Sequence, residues 1–456
     1  MVNHDLLPMS WERLLSTQRF EIFDSGEIVP NTSPSSQEGQ DVLRTDFHID
    51  YDRVVFSGSF RRLGRKTQVH PFARHDLTHN RLTHSVEVAS VGRSIGNHVG
   101  VMLQKDNRLP SPYSPADIGA IVQVACLAHD MGNPPFGHIG EDAIRDFFRQ
   151  PENQYLLSGL TDAEICDVQT YEGNAHSLRI VANLEMYRNQ GGMRLTAASI
   201  ATLIKYPWTS SHKKYGNRKF NIYQTELPFI RRIAEELGLP EIDENEWLRH
   251  PLSYLMEAAD DICYALLDLE DAVEIGMLDE KELEAVLSPI AEISETWLSS
   301  PRQRGAKMRG LAIGAATQSV ANTFMKYHRD LMSGTFPAKD LISVCDSRVS
   351  DALNNAKQIA SEKVFNHKSK VMTEIAAFPC LGSILSLLIP TVFAYKKGKS
   401  LNIRQKLALI LLKDNHSIDE TDTLYTAYMK VLDFVGGMTD NAAAQMAREV
   451  SGISMA

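Results

Sequence analysis

Histidines and carboxylates crowd into one short stretch of this chain, LAHDMGNPPFGHIGE, from Leu127 to Glu141. His129 and Asp130 close an apolar run, a Gly-Asn-Pro-Pro turn follows, and His138 and Glu141 come next. Burying such groups without partners is costly, so the pattern points to chemistry rather than packing. Imidazole nitrogens and carboxylate oxygens are the ordinary ligands of a divalent cation. Neighbouring residues on a helix point about 100° apart, so His129 and Asp130 can share one ion only if other helices complete the shell. Two helices offer donors: one carries His84 within RLTHS, the other Asp260 or Asp261 within EAADD. Asp260, Tyr264 and Asp268 are spaced i, i+4, i+8 and share a face, which favours Asp260 as the inward residue.

These residues need rigid carriers, and helical periodicity dominates from about residue 78 onward while alternating strand patterns are scarce. The expected fold is all-α. The first carrier is predicted to begin near Leu77, with Leu82, Val86, Ala89 and Ile95 on its packed face. A second, apolar nearly all round and therefore central, has Ser114 as its cap and Pro115 in its first turn and brings His129 and Asp130 to its last turn. Gly132, Pro134 and Pro135 stop it, and a new helix starts near His138. Two more are expected, one from a Thr196 cap to Lys205 and a long amphipathic one from Pro251. The connector FSGSFRRLGRKTQVHPFARHD holds two short apolar pieces, read as brief strands or irregular backbone. NTSPSSQEGQ, residues 31–40, reads as a mobile polar loop, and beyond Asp279 the chain is a run of helices.

Composition excludes several classes. The 456 residues, 43% hydrophobic and 23% charged, describe a folded globular chain, and a net charge of -10 argues against a general nucleic-acid coat. Five cysteines without CxxC spacing fit a reducing compartment, and the N-terminus lacks the pattern of a secretory signal, so a cytoplasmic location is expected. The uncharged segment from Ile375 to Tyr395 is long enough to span a bilayer; Pro379, Gly382 and Pro390 favour instead a buried, interrupted core helix, with no membrane partner.

The motifs SFRRLGRKTQVHP, NRLTHSVEVA, LAHDMGNPPFGHIGE, YEGNAH, IKYPW and SYLMEAADDICYALLDLEDAVE, spread over roughly residues 50 to 275, closely resemble the HD-domain deoxynucleoside triphosphate triphosphohydrolases, in particular their dGTPase branch. The resemblance implies an HD-domain helical fold with additional C-terminal helices. It divides the chain into an N-terminal segment (1–50) with its mobile loop, a catalytic core (51–280) and a helical C-terminal region (281–456) packing on the core. It implies that His84, His129, Asp130 and Asp260 hold one divalent ion (Mg, Mn, Fe, Co or Ni), and that a dNTP is split into a deoxynucleoside and inorganic triphosphate. His138 and Glu141 would serve as an acid/base dyad, the carboxylate orienting the imidazole.

Charge placement agrees with a polyphosphate substrate. From Arg53 to Arg81 the cations Arg53, Arg61, Arg62, Arg65, Lys66, Arg74 and Arg81 face the single acid Asp76, and guanidinium forks suit phosphates. Arg81, one turn before His84, is the first choice for the α-phosphate. By resemblance Lys205, Tyr206 and Lys219 grip phosphates, Tyr264 closes against C2′ of the sugar, and Asp268 accepts from the 3′ hydroxyl. Gln68 and Asn174 are polar contacts to sugar or base. The family also implies a homo-oligomer, commonly a hexamer, and in some members a nucleotide or single-stranded DNA effector. Two rival classes stand beside this reading: an HD nucleotidase or phosphodiesterase with another substrate, and a nucleotide-sensing binding module without catalysis.

Overall fold

The computed structural model describes residues 8–23, 25–31, 44–68, 79–212, 219–274, 276–291, 301–363, 368–413 and 416–453. The architecture is all-α. Among the described residues the only paired strands are two short antiparallel hairpins, Phe20–Ile22 with Ile28–Pro30 and Glu241–Asp243 with Glu246–Trp247.

At the centre lies the helix Pro115–Ala128, whose Ser114 hydroxyl and amide both donate to Asp117 (2.7 and 2.8 Å) in a capping box. Ile118, Ile121, Val122, Val124, Ala125 and Leu127 are all buried, as an apolar circumference requires. It packs along the helix Arg81–Lys105 at backbone distance: a Cβ on Gly96 would sit 2.8 Å from the Gly119 Cα, and one on Gly100 2.6 Å from the Pro115 Cα. Larger residues would wedge these helices apart. Their contact brings the His84 and His129 rings to 5.6 Å between centroids.

Several boundaries differ from the expectation. The His84 helix begins at Arg81, because the Asn80 side chain accepts from the amides of Leu82 and Thr83 (both 3.0 Å); Leu77 lies outside the described residues. Its buried stripe is Ser85, Ala89, Gly92 and Gly96, so Val86, expected to pack, is half exposed: the close approach at the glycines turns that stripe inward. Within its described part, residues 56–68, the connector is helical at Gly58–Arg62, capped by the Ser57 hydroxyl, and forms a 3-10 turn at Leu63–Arg65, short pieces that carry no readable periodicity; residues 69–76 lie outside the described residues. The Thr196-capped helix spans Ala197–Leu203 and stops before Lys205, because the Asn221 side-chain oxygen takes the amides of Lys205 and Tyr206 (3.1 and 2.8 Å). The helix bearing Asp260 spans Ser253–Glu274. Most of the loop 31–40 lies outside the described residues.

Beyond residue 280 the helices Glu280–Leu287, Pro301–Lys326, Ser347–Lys363, Lys368–Lys396, Ile403–Leu411, Leu424–Gly436 and Asp440–Val450 are the principal elements. They contribute to two hydrophobic cores. One surrounds the Pro115–Ala128 helix and includes Ala312, Phe324 and Leu353; the other joins Phe148, Tyr171 and Tyr223 to Leu385, Leu388 and Tyr428. Arg179 ties the second together, forking onto Asp433 (2.7 and 2.8 Å) and reaching Glu226 (2.7 Å), all three buried. The Lys368–Lys396 helix is long and apolar enough to cross a membrane by length and composition. It is not interrupted, for Pro379 and Pro390 lie inside one continuous helix. It is also buried over part of its length only: Leu381, Leu385 and Leu388 enter the core, while Met372 and Ile375 are exposed.

Candidate metal centre and active site

Helix packing delivers four donor side chains to one place. His84 comes from the first helical turns of Arg81–Lys105, His129 and Asp130 from the end of the central helix, and Asp260 from the middle of Ser253–Glu274. Ligand atoms of His84, His129 and Asp130 all lie within 4.8 Å of one another. Asp260 Oδ1 is 3.1 Å from His84 Nε2 and 3.5 Å from His129 Nε2, and His129 Nε2 is 3.6 Å from Asp130 Oδ1. Ligands about 2.1 Å from one ion and at right angles to each other are separated by about 3.0 Å. The spacing and the donor set therefore fit a single divalent cation.

The surrounding contacts orient these donors. His129 Nδ1 donates to the Cys126 carbonyl (2.6 Å), which leaves Nε2 facing the other ligands. Asp130 accepts from Asn133 Nδ2 through Oδ1 (2.6 Å) and from Arg81 Nη1 through Oδ2 (2.8 Å). The turn after it is pinned by Ser177, whose hydroxyl accepts from the Gly132 amide (2.8 Å) and donates to the His129 carbonyl (2.7 Å). Residue 132 must be glycine here, since a Cβ would lie 2.0 Å from the Ser177 nitrogen. Burial opposes charge at His129, but the Asp130 and Asp260 carboxylates outweigh it and hold the imidazole up to about 9. Burial likewise works against the Asp260 carboxylate, and the two imidazoles still keep it well below its usual range. Such an electrostatic field favours a cation.

Beside the donors opens a cavity of about 320 Å³, whose lining includes Thr67, Gln68, Arg81, His84, Asp130, His138, Asp260 and Tyr264. His138 stands at its rim with 72% of its side chain exposed, and its Nδ1 is 3.1 Å from Glu141 Oε2. Glu141 is buried and also accepts from Arg145 Nη2 (3.2 Å) and the Gly173 amide (2.8 Å). Burial alone would raise its carboxyl pKa; the His138 hydrogen bond and the charges of Lys219 and Arg145 pull it below the ordinary range instead. Behind it, Glu172 accepts from Arg145 (3.2 Å), Lys219 (3.0 Å) and Asn174 (2.6 Å).

The expected substrate residues are thus distributed. Gln68, Arg81 and Tyr264 line the cavity. Asn174 and Lys219 reach the dyad through Glu172, and Asp268 is buried one turn beyond Tyr264. Lys205 and Tyr206 line a separate cavity of about 790 Å³ that also borders Glu257 and Asp261, and Lys205 pairs with Glu257 (3.0 Å). The cationic run is not a continuous phosphate wall among the described residues: Arg53 donates to the Met193 carbonyl (3.0 Å), Arg61 to that of Phe56 (2.8 Å) and Arg62 to the Ser59 hydroxyl (2.7 Å). Lys66 is buried, donating to the Gly436 carbonyl (2.7 Å). Their charges satisfy backbone and neighbouring side chains, and Arg81 alone of the run is described in the cavity wall; Arg74 and Asp76 lie outside the described residues. Sequence reading missed Arg145 and Glu172, although an arginine four residues after Glu141 and the glutamate of YEGNAH were signals for both. It also missed Thr373 and Glu374, which line the cavity from the Lys368–Lys396 helix and carry no local mark of it.

Comparison with known proteins agrees with this geometry. Residues 81–162 match the model of the HD domain. A deoxyguanosinetriphosphate triphosphohydrolase-like protein of Pseudomonas aeruginosa is 42% identical over 456 residues, covering 98% of this chain and 99% of the relative. The chain belongs to the HD-domain deoxyguanosinetriphosphate triphosphohydrolase family. A similarly named protein of Synechocystis is 35% identical over 98% of this chain and 100% of its own length. A deoxyguanosinetriphosphate triphosphohydrolase of Yersinia pseudotuberculosis is 30% identical over 79% of this chain and 80% of its own. The HD-domain match covers residues 81–162, whereas the likeness to the first two relatives covers 98% of the chain.

Proposed function

We propose that this protein hydrolyses deoxynucleoside triphosphates, dGTP among them, to the deoxynucleoside and inorganic triphosphate. One observation carries the reading: His84, Asp130 and Asp260, with His129 packed against them, line the same cavity as His138 of the His138–Glu141 pair, and the Arg81 guanidinium lines it too. The names of the relatives support the substrate class.

In this reaction a water oxygen bonds to the α-phosphorus, the bond from that phosphorus to the 5′ oxygen breaks, and the 5′ oxygen leaves with a proton as the hydroxyl of the deoxynucleoside. When bound by His84, His129, Asp130 and Asp260, a divalent ion supplies Lewis-acid polarisation of the phosphoryl group and lowers the pKa of water. Arg81 gives one amino group to Asp130, and its other lies against the turn at Gly137, so its charge sits between donors and dyad, where α-phosphoryl oxygens gather negative charge. His138, with Nδ1 engaged by Glu141, presents Nε2 to the cavity for proton transfer. The Tyr264 ring forms a wall against which a sugar without a 2′ hydroxyl packs. We assign Gln68, Asn174 and Asp268 to sugar and base and Lys219, beside the dyad, to the remaining phosphates; Lys205 and Tyr206 border the neighbouring cavity and would meet only a phosphate tail that extends into it.

The test is incubation with each dNTP and a panel of divalent metals, followed by identification of both products. Deoxynucleoside plus triphosphate supports the proposal; a monophosphate plus pyrophosphate overturns it.

A further inference from the structure

Two lining residues of the cavity are held from a helix far along the chain. Asp440 is the first residue of the helix Asp440–Val450 and is 3% exposed. One of its oxygens accepts from the Thr67 amide (3.0 Å) and hydroxyl (2.6 Å); the other accepts from the Phe136 amide (3.0 Å). Thr67 and Phe136 both line the cavity. Each also leads directly into the chemistry. Thr67 pairs with Asn80, and the Lys66 carbonyl accepts from the Arg81 amide (3.1 Å), so this strand of backbone sets the start of the helix that carries His84. Phe136 has a left-handed backbone, φ +66°, two residues before His138, a conformation that residues with a Cβ rarely adopt and that persists only where its surroundings impose it.

From this geometry we infer that Asp440 is a positioning residue for the reaction, a single buried carboxylate that fixes the Thr67 wall and the His138 turn relative to each other. The inference rests on the function proposed above. Neither wall can move independently while one carboxylate binds both. An asparagine in its place has one acceptor oxygen, so its amide group must face either the Phe136 or the Thr67 amide, donor to donor, and one wall must shift. Misplacement of a reacting group by about 1 Å costs on the order of 100-fold in rate.

The experiment compares Asp440→Asn with wild type in the full-length, metal-loaded protein, reading kcat, KM, metal bound per chain and amide hydrogen exchange at Thr67 and Phe136. The expected result is a fall in kcat of roughly 10- to 100-fold, with KM and metal content nearly unchanged and faster exchange at one or both amides. A merely structural role would reduce the folded fraction and leave kcat per metal-loaded molecule as it was, which would overturn the inference. If D440N does not fold, Asp440→Glu replaces it: both acceptors survive but are displaced by about 1.5 Å, one carbon–carbon bond, and a smaller loss in the same direction is expected. Wild-type kcat and exchange in D440E would likewise overturn the inference. Product identification with the wild type separates the two readings. If the wild type releases triphosphate while the Asp440 variants retain wild-type kcat, the inference alone fails; if the wild type releases pyrophosphate and a monophosphate, or does not turn over, the proposed function fails, and amide exchange at Thr67 and Phe136 still tests the clamp.

Discussion

Replacing Glu141 by glutamine separates the orientation of His138 from the bulk of the side chain. The wild-type carboxylate is almost wholly buried and accepts from His138 Nδ1, Arg145 Nη2 and the Gly173 amide. The glutamine oxygen can keep the Gly173 bond, but its amide then points at Arg145 and His138, donor against donor. A hydrogen bond to a charged group contributes about 1.5–3 kcal/mol. Two such bonds are lost, but the exposed His138 turns to water and Arg145 keeps Glu172 and the Tyr171 carbonyl, so the net cost is about 3 kcal/mol. For a chain of this length unfolding as one unit, that lowers the melting midpoint by about 3 °C. Activity should fall much further. Without its carboxylate the imidazole loses both orientation and tautomer, and positioned acid–base catalysis contributes roughly 10²- to 10⁴-fold. The assay is steady-state release of triphosphate with metal content measured in parallel. Because the Glu141 pKa is depressed in the fold, its stabilisation is complete above the unfolded value and disappears as pH falls through the folded value; E141Q should flatten that acid limb. Turnover within threefold of wild type, or an unchanged acid limb, would refute the reasoning.

Three further outcomes follow from individual contacts. Asp260→Asn should abolish stoichiometric metal binding while Asp261→Asn preserves it, because Asp260 faces His84 and His129 whereas Asp261 pairs with Lys357 at 2.7 Å; elemental analysis of the purified variants decides, and loss of metal from D261N instead would reverse the ligand assignment. Arg179→Met strands the buried Asp433 and Glu226 and should cost about 3–5 kcal/mol, read by denaturant unfolding, with kcat per folded molecule retained; an unchanged midpoint contradicts the buried-network argument. His79 pairs with Asp271 (2.6 Å) and Glu87 (3.1 Å); burial opposes its charge, yet these carboxylates raise its pKa to about 10. Its stabilisation should therefore be complete below about pH 6.5 and fade as pH rises through about 10, and His79→Gln should remove that alkaline decline in urea-unfolding measurements across pH.

The central helix, its Ser114 cap and its arrival at His129 and Asp130 were legible because an apolar circumference and a capping box are local patterns. The same holds for the shared face of Asp260 and Tyr264, which follows from helical period alone. Short elements such as Gly58–Arg62 were not legible, since a helix of little more than one turn leaves no periodicity to detect. Nor was the inward stripe of the His84 helix, which depends on which neighbour it meets. Amino-acid order by itself thus determined the all-α class, the metal-type donors and the helices that bear them, all properties set within a few turns of backbone. Tertiary structure decided what lies between those helices: backbone contact at Gly96 and Gly100, the capture of most of the cationic run by carbonyls and neighbouring side chains, and the reach of Asp440 to Thr67 and Phe136. The longest of those contacts join residues more than 300 positions apart, and the free energy that selects them all comes from packing and desolvation of the whole assembly rather than from any local preference.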